Sequence, residues 1–127
     1  DIGLKQRLPL NAMGGGIKKI LAIILSIYNM SGGVVLIDEI ENGLHYSNQG
    51  ILWEAVFEAA LAFDVQVFAA THSYENIKAF SAAYEKVDHK DDRLRLFRIE
   101  NDKDKIRLID FNDQILKASI DSYWEVR

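Results

Sequence analysis

The residues best suited to chemistry stand at the end of an apolar run. Val34 to Ile37 are four consecutive aliphatic residues, and Asp38 and Glu39 follow them directly. Such a run is typical of a buried parallel strand, and open α/β sheets bind their ligands at the carboxyl ends of the strands. Asp38 could hold Mg²⁺, which prefers oxygen ligands, and Glu39 could orient and polarise an attacking water. The alternative is a strand that simply ends in two solvated acids.

A second polar group, Thr71 to Ser73, follows the apolar run at residues 65–70. If the two runs are neighbouring parallel strands, both ends lie at one sheet edge, and His72 joins the two carboxylates there. A neutral imidazole in that position could hydrogen-bond a phosphate or the attacking water. A histidine without a chemical task, at the surface or in the core, is the alternative.

Three glycines, Gly14, Gly15 and Gly16, precede a segment with helical periodicity. Glycines let backbone N–H groups approach an anion closely, and the dipole of the following helix favours negative charge. Lys18 and Lys19, in the first helical turn, are badly placed for that dipole but well placed for a phosphate or an acidic partner. A flexible loop is the alternative. The segment is not a P-loop, because the pattern G-x-x-x-x-G-K-S/T occurs nowhere in the 127 residues.

The spacing of apolar residues predicts the elements that position these groups. Buried strands alternate with helices, which is typical of an α/β layer with a parallel sheet. Alternating polar and apolar residues near the C-terminus predict an antiparallel hairpin, and a short helix follows with Asn112 or Asp113 as its N-cap. The predicted order is a helix at 17–28, a strand at 34–38 buried on both faces, a helix at 51–63, a second buried strand at 65–70, a helix at 74–84, hairpin strands at 93–100 and 105–111, and the closing helix.

Composition limits the class of protein. The chain has 127 residues, 49% of them hydrophobic, no cysteine and a formal net charge of −4. These values predict one globular domain and exclude a disulfide scaffold and intrinsic disorder. No apolar run reaches the roughly 18 residues of a membrane span, and the N-terminal residues lack a signal-peptide pattern, so a cytoplasmic protein is predicted. Between Lys19 and Lys78 there is no Lys or Arg, so a pocket built from this stretch suits a divalent cation but lacks basic side chains for phosphate.

The order of these features resembles a known superfamily. A glycine-rich loop, a helix, an apolar strand ending in Asp-Glu, a second helix and a strand ending in Thr-His-Ser form the C-terminal half of ABC-type ATPase domains. The resemblance is to the soluble branch that includes the SMC-like and OLD-like (overcoming lysogenization defect) ATPases, and it covers residues 8–80. It implies an α/β fold, the parallel-sheet part of a P-loop NTPase lobe. Within this single partial domain, residues 8–84 would form the signature, Walker B and switch-histidine portion, and residues 85–127 the C-terminal antiparallel hairpin and short helix.

The resemblance also implies roles for individual residues near the strand ends. Asp38 matches the Walker B aspartate that holds Mg²⁺, and Glu39 matches the catalytic glutamate. His72 matches the switch histidine. Residues Glu41 to His45 lie where the D-loop follows, and His45 stands in place of the usual closing aspartate of that loop.

The glycine-rich loop matches the nucleotide-binding signature loop of the same family. Met13 stands where the family commonly has a serine, and Asn11 is the candidate to replace the contact of that hydroxyl with the γ-phosphate. The resemblance implies that Gly14, Gly15 and Gly16 complete the loop.

The resemblance further implies ATP and Mg²⁺ as ligands. The signature loop of the family acts on nucleotide held by a second copy of the domain, so a head-to-tail dimer is expected. Because the family places its Walker A loop upstream, the chain is expected to be the C-terminal part of a longer ATPase and to hydrolyse ATP negligibly by itself. DNA repair or phage defence is the expected setting, with nucleic acid a candidate partner of the parent protein and no membrane involved.

Two other classes of function stay open at this point. Asp38, Glu39, Glu41 and His45 could form the Mg²⁺ or Mn²⁺ cluster of a metal-dependent nuclease or hydrolase. The hairpin and Trp124 could instead form a non-catalytic interaction module.

Overall fold

The computed structural model describes residues 14–87, 93–102 and 105–122. Helices and strands alternate up to residue 84, and a hairpin and a helix follow, as the sequence predicts. The elements are α1 Gly15–Asn29, β1 Val34–Ile37, a 3-10 helix Tyr46–Asn48, α2 Gln49–Phe63, β2 Gln66–Ala69, α3 Tyr74–Tyr84, β3 Arg95–Asp102, β4 Lys105–Asn112 and α4 Asp113–Asp121.

The two apolar runs form a parallel pair, β1 beside β2, with α2 in the connection between them. Val34 is the register partner of Gln66, and Ile37 is the partner of Ala69. The pairing continues beyond the strands, because the Ala70 N–H donates to the Ile37 carbonyl at 2.8 Å. The carboxyl ends of both strands therefore lie side by side.

The main core lies between one face of this sheet and the helices α1 and α2. Its buried members come from these elements, from α3 and from residues directly next to the two strands: Ile23, Ile27, Val35, Ile40, Leu52, Trp53, Val56, Ala59, Val65 and Ala83. Rings from α2 and α3 pack together beside it, with Trp53 4.7 Å from Phe80 and Phe57 5.5 Å from Tyr84 between ring centroids. These contacts hold the two helices that follow the strand ends against each other.

The prediction that both strands are buried on two faces is wrong for the residues described. Val35 is buried, whereas Leu36 is 77% exposed and its register partner Phe68 is 47% exposed. Side chains alternate between the faces of a strand, and α1 and α2 pack on only one of them. Within the described ranges no helix covers the second face. The apolar residues on that face are therefore not buried by this part of the chain.

The hairpin and α4 form a smaller second core. β3 and β4 are antiparallel, and Leu94, Phe111 and Leu116 pack with Ile77 of α3. The N-cap of α4 is Asn112, whose Oδ1 accepts from the Ile115 N–H at 2.9 Å. Of the two predicted caps, Asn112 is the one observed, and Asp113 is the first residue of the helix. Among the described helices, none is long and apolar enough to cross a membrane.

Candidate functional site

The candidate site lies where β1 and β2 end. The Ile40 N–H donates to the Ala70 carbonyl at 3.1 Å, and the Ile40 side chain is completely buried in the core. This hydrogen bond and the buried side chain hold the segment after β1 against the segment after β2. Asp38 and His72 therefore follow two strand ends that are held side by side.

The carboxylate of Asp38 is oriented by the backbone that follows it. Its Oδ1 accepts from the Glu39 N–H at 3.0 Å. A local bond of this kind fixes an aspartate side chain at the end of a strand. The sheet edge thus carries one oriented carboxylate whose oxygens could ligate a metal ion.

Glu39 begins a tight turn with an unusual backbone conformation. Its φ is +44°, which few residues other than glycine adopt and which stores strain unless the surroundings hold it. The Asn42 N–H donates to the Glu39 carbonyl at 2.9 Å, and the Asn42 side-chain amide donates to Glu39 Oε2 at 3.2 Å. Asn42 therefore holds both the backbone and the carboxylate of the proposed catalytic glutamate.

Lys19 of α1 contacts the same turn from the other side. Its Nζ donates to the carbonyl of Glu39 at 3.0 Å and to the carbonyl of Asn42 at 2.6 Å. The prediction that Lys19 faces a phosphate or an acidic partner is wrong, because its amine lies on two backbone carbonyls of its own chain. Sequence periodicity cannot predict this contact, because Lys19 and Glu39 are 20 positions apart.

Glu41 connects the turn to the end of β2. Its Oε1 accepts from the His72 N–H at 3.1 Å. Partial burial acts to raise the pKa of Glu41, but hydrogen bonds from its own N–H, the Thr71 hydroxyl and the His72 N–H, together with the electrostatic effect of the nearby His72 side chain, lower the pKa below its ordinary value of 4.5. Glu41 is thus an ionised acceptor that holds the backbone of His72 in place.

Asn76 of α3 is the buried polar residue beneath these contacts. Its Oδ1 accepts from the Trp53 Nε1–H at 2.9 Å, and its Nδ2 donates to Thr71 Oγ1 at 3.1 Å and to a Glu41 oxygen at 3.5 Å. Asn76 has no exposed surface. Sequence reasoning missed it. The available signal was its place four residues before Phe80, on the apolar face of α3.

The glycine-rich segment starts α1. Gly14 is the N-cap, with no side-chain hydrogen bond at this cap and no acidic residue in the first turn. A Cβ at Gly14 or Gly15 would meet no described atom within 4 Å, whereas one at Gly16 would meet Leu44 Cδ2 at 3.2 Å. Among the residues that the structure describes, none fills the space beside Gly14 and Gly15. The candidates Asn11 and Met13 lie outside the described residues.

The geometry does not support the four-residue metal cluster. His45 Nδ1 is 2.9 Å from Ser47 Oγ, and Glu41 is bonded to the His72 N–H. In residues 14–87, 93–102 and 105–122, no group of three or more His, Asp or Glu side chains could hold a metal ion. Trp124, invoked for an interaction module, lies outside the part of the chain that the structure describes.

Open α/β sheets bind their ligands at the carboxyl ends of the strands, and helix N-termini bind anions, so this end of the β1–β2 pair is the candidate ligand site. A family model described as AAA ATPase domain matches residues 2–77. The chain belongs to this family.

Two individual proteins extend the comparison. An ATP/GTP phosphatase of Helicobacter pylori (strain ATCC 700392 / 26695) is 30% identical over 102 residues, which cover 78% of this chain and 27% of that protein. The chain thus spans about a quarter of the length of this curated relative. A solved structure from work on the ATP-driven dimerisation and DNA-stimulated activation of SMC ATPases covers 94% of this chain and 67% of its own, with a TM-score of 0.58 and 14% identity. This second likeness concerns the fold alone.

Proposed function

We propose that this chain supplies the Walker B strand, the switch histidine and the signature loop of an ABC-type ATPase that hydrolyses ATP with Mg²⁺. The observation that carries the proposal is the junction of the two strand ends. Asp38 follows the end of β1, His72 follows the end of the neighbouring β2, and Glu39 begins the adjoining turn. Membership of the AAA ATPase domain family supports the same reading.

Mg²⁺ fits the donor set at the end of β1. It is commonly held by one or two carboxylates while phosphates and waters complete its shell, and Asp38 offers one oriented carboxylate. When bound, Mg²⁺ would neutralise charge on the β- and γ-phosphates. The stretch from Ile20 to Ile77 has no Lys or Arg, so the basic group for the phosphates comes from a Walker A loop outside that stretch.

Glu39 and His72 are assigned the remaining roles in the same half-site. The Glu39 carboxylate would orient the attacking water and accept its proton. The His72 imidazole would hydrogen-bond the γ-phosphate or that water. Glu41 would serve His72 indirectly, because its carboxylate holds the His72 N–H and so the end of β2.

The signature loop would complete the nucleotide site of a second copy. Asn11, Met13 and the glycines 14–16 would contact the γ-phosphate across a head-to-tail dimer, with the dipole of α1 favouring the anion. The open space at Gly14 and Gly15 supports this role. The solved structure with the similar fold comes from SMC ATPases that dimerise with ATP. We place the whole protein in the cytoplasm, in DNA repair or phage defence.

The proposal is tested with Glu39→Gln in a protein that joins this chain to a Walker A loop. Loss of a general base costs about 10²–10⁴-fold in rate, so ATP turnover should fall by about that factor while ATP binding persists. Glu58→Gln is the matched control, because Glu58 is exposed on α2, away from the strand ends. The 127-residue chain alone should show only background hydrolysis.

Three results would overturn the proposal. One is equal ATP turnover in the Glu39→Gln and Glu58→Gln proteins. Another is robust, Glu39-dependent turnover by the chain alone, which would remove the need for a Walker A lysine. The third is Mn²⁺-dependent cleavage of plasmid DNA that is lost in Asp38→Ala, which would favour the nuclease function instead.

A further inference from the structure

Lys19 of α1 makes two hydrogen bonds outside its own helix. It is the fifth residue of α1, which begins at Gly15, so it lies just beyond the first turn. Its amine donates to the carbonyls of Glu39 and Asn42, at 3.0 and 2.6 Å. These carbonyls belong to the first and last residues of one turn, so a single ammonium group closes it.

The turn needs such support because of the conformation of Glu39. Its φ of +44° is held by the surrounding contacts rather than by its own preference. The Asn42 N–H closes the turn from within, and Lys19 closes it from α1. Removing the ammonium takes one donor from each of the two carbonyls and leaves the Glu39 carbonyl with its bond from the Asn42 N–H.

A second contact joins α1 to the same loop. Gly16 lies so close to Leu44 that a Cβ on Gly16 would approach Leu44 Cδ2 to 3.2 Å. The start of α1 therefore touches the segment 39–44 through a charged contact at Lys19 and through packing at Gly16. A displacement of α1 reaches the backbone of Glu39 directly.

We propose that Lys19 is a positioning residue that couples the signature helix α1 to the turn carrying Glu39. This inference rests on the proposed function, in which α1 acts on the nucleotide of a second copy and Glu39 acts on the nucleotide of its own copy. When α1 binds the nucleotide of the second copy, Lys19 would pass the resulting movement of α1 to the Glu39 carboxylate, which acts on the nucleotide of its own copy. The side chain touches no reacting atom in this scheme and acts only through the turn.

The test uses Lys19→Met, which keeps the apolar stem, Lys19→Arg, which keeps charged donors, and Lys78→Met as control. Lys78 is exposed on α3 and lies over the Tyr74 ring. Amide hydrogen exchange on the 127-residue chain should quicken at Asn42 and Leu44 in Lys19→Met by about tenfold, equivalent to about 1.4 kcal/mol. Exchange within α2 should not change.

Catalysis is measured with the chain joined to a Walker A loop. Lys19→Met should lower kcat about tenfold or more with little change in KM for ATP, because a misplaced catalytic group affects the chemical step. Lys19→Arg should recover most of the rate, and Lys78→Met should match the unmodified protein. If Lys19→Met does not fold, Lys19→Gln replaces it with the same expected pattern.

The outcomes separate this inference from the proposed function. If Glu39→Gln lowers kcat but Lys19→Met leaves kcat unchanged, only the coupling role fails. Unchanged exchange at Asn42 and Leu44 also overturns it, as does an arginine variant as slow as the methionine variant. If Glu39→Gln has no effect, the proposed function itself fails.

Discussion

Asn76 offers the sharpest test of how the strand ends are held together. It is completely buried and joins α2, α3 and the end of β2 through its amide. Asn76→Ala removes the acceptor of the Trp53 Nε1–H and the donor to Thr71 Oγ1. The Trp53 side chain is 5% exposed, so its N–H cannot turn to solvent.

The expected loss of stability follows from these bonds. A buried donor left without an acceptor costs about 1–3 kcal/mol, and an ordinary hydrogen bond contributes about 0.5–1.5 kcal/mol. The contact with Glu41 is 3.5 Å long and adds little. The sum is about 2–4 kcal/mol, a large part of the 5–15 kcal/mol that is typical of a domain.

Urea unfolding of the chain, followed by circular dichroism, measures this change. With a slope of about 2 kcal/mol per molar, the midpoint should fall by about 1–2 M. Asn42→Ala is the matched control, because Asn42 is exposed and loses only bonds within its own turn. Its cost should stay below about 1 kcal/mol.

A double-mutant cycle isolates the Trp53 bond. In a Trp53→Phe background the indole N–H is absent, so Asn76→Ala should cost about 1 kcal/mol less than it does in the unmodified chain. The reasoning is refuted if Asn76→Ala costs the same in both backgrounds. It is equally refuted if Asn76→Ala and Asn42→Ala destabilise the chain to the same extent.

Two further predictions concern the loop after β1. The pKa of Glu41 is lowered in the folded chain from 4.5, so its carboxylate stabilises the fold above that pH and loses this effect as the pH falls through the folded pKa. Urea unfolding from pH 7 to pH 3 should show Glu41→Gln less stable at neutral pH and the gap closing below about pH 4.5; a constant gap contradicts the argument. Gly43 has φ +74°, and no described atom lies near its Cβ position. Gly43→Ala should therefore lower the free energy of unfolding by about 1 kcal/mol through backbone strain alone. In the same assay Gly50→Ala in α2, the control, should be neutral or stabilising by up to about 1 kcal/mol.

Most of the fold could be predicted because it depends on local patterns. The continuous apolar runs before Asp38 and Thr71 favour parallel strands, and α3 begins and ends at the residues expected. A cap at Asn112 or Asp113 follows from the preference of a short polar side chain for the first free N–H groups of a helix, and the structure places the cap at Asn112. The proximity of Asp38 and His72 follows in turn, since parallel neighbours end at the same sheet edge.

The burial of the strands could not be predicted in the same way. The apolar run at β1 predicts that other elements pack on both faces of the strand. Among the described residues, however, Leu36 and its neighbour Phe68 on β2 are exposed. An apolar pattern indicates that a strand face can be buried. It does not indicate which helix or strand packs against that face.

The sequence by itself determined the order of the elements and the residue types at the strand ends, because strand and helix patterns depend on neighbours along the chain. Only the tertiary structure decided how those ends are held. Lys19 closes the Glu39 turn from 20 positions away, and Glu41 holds the His72 N–H from 31 positions away. These contacts require α1, β1 and β2 to be packed already, so no local spacing encodes them. Short sequence motifs thus indicate which residues could do chemistry. The packing of α1, β1 and β2 determines how those residues are arranged.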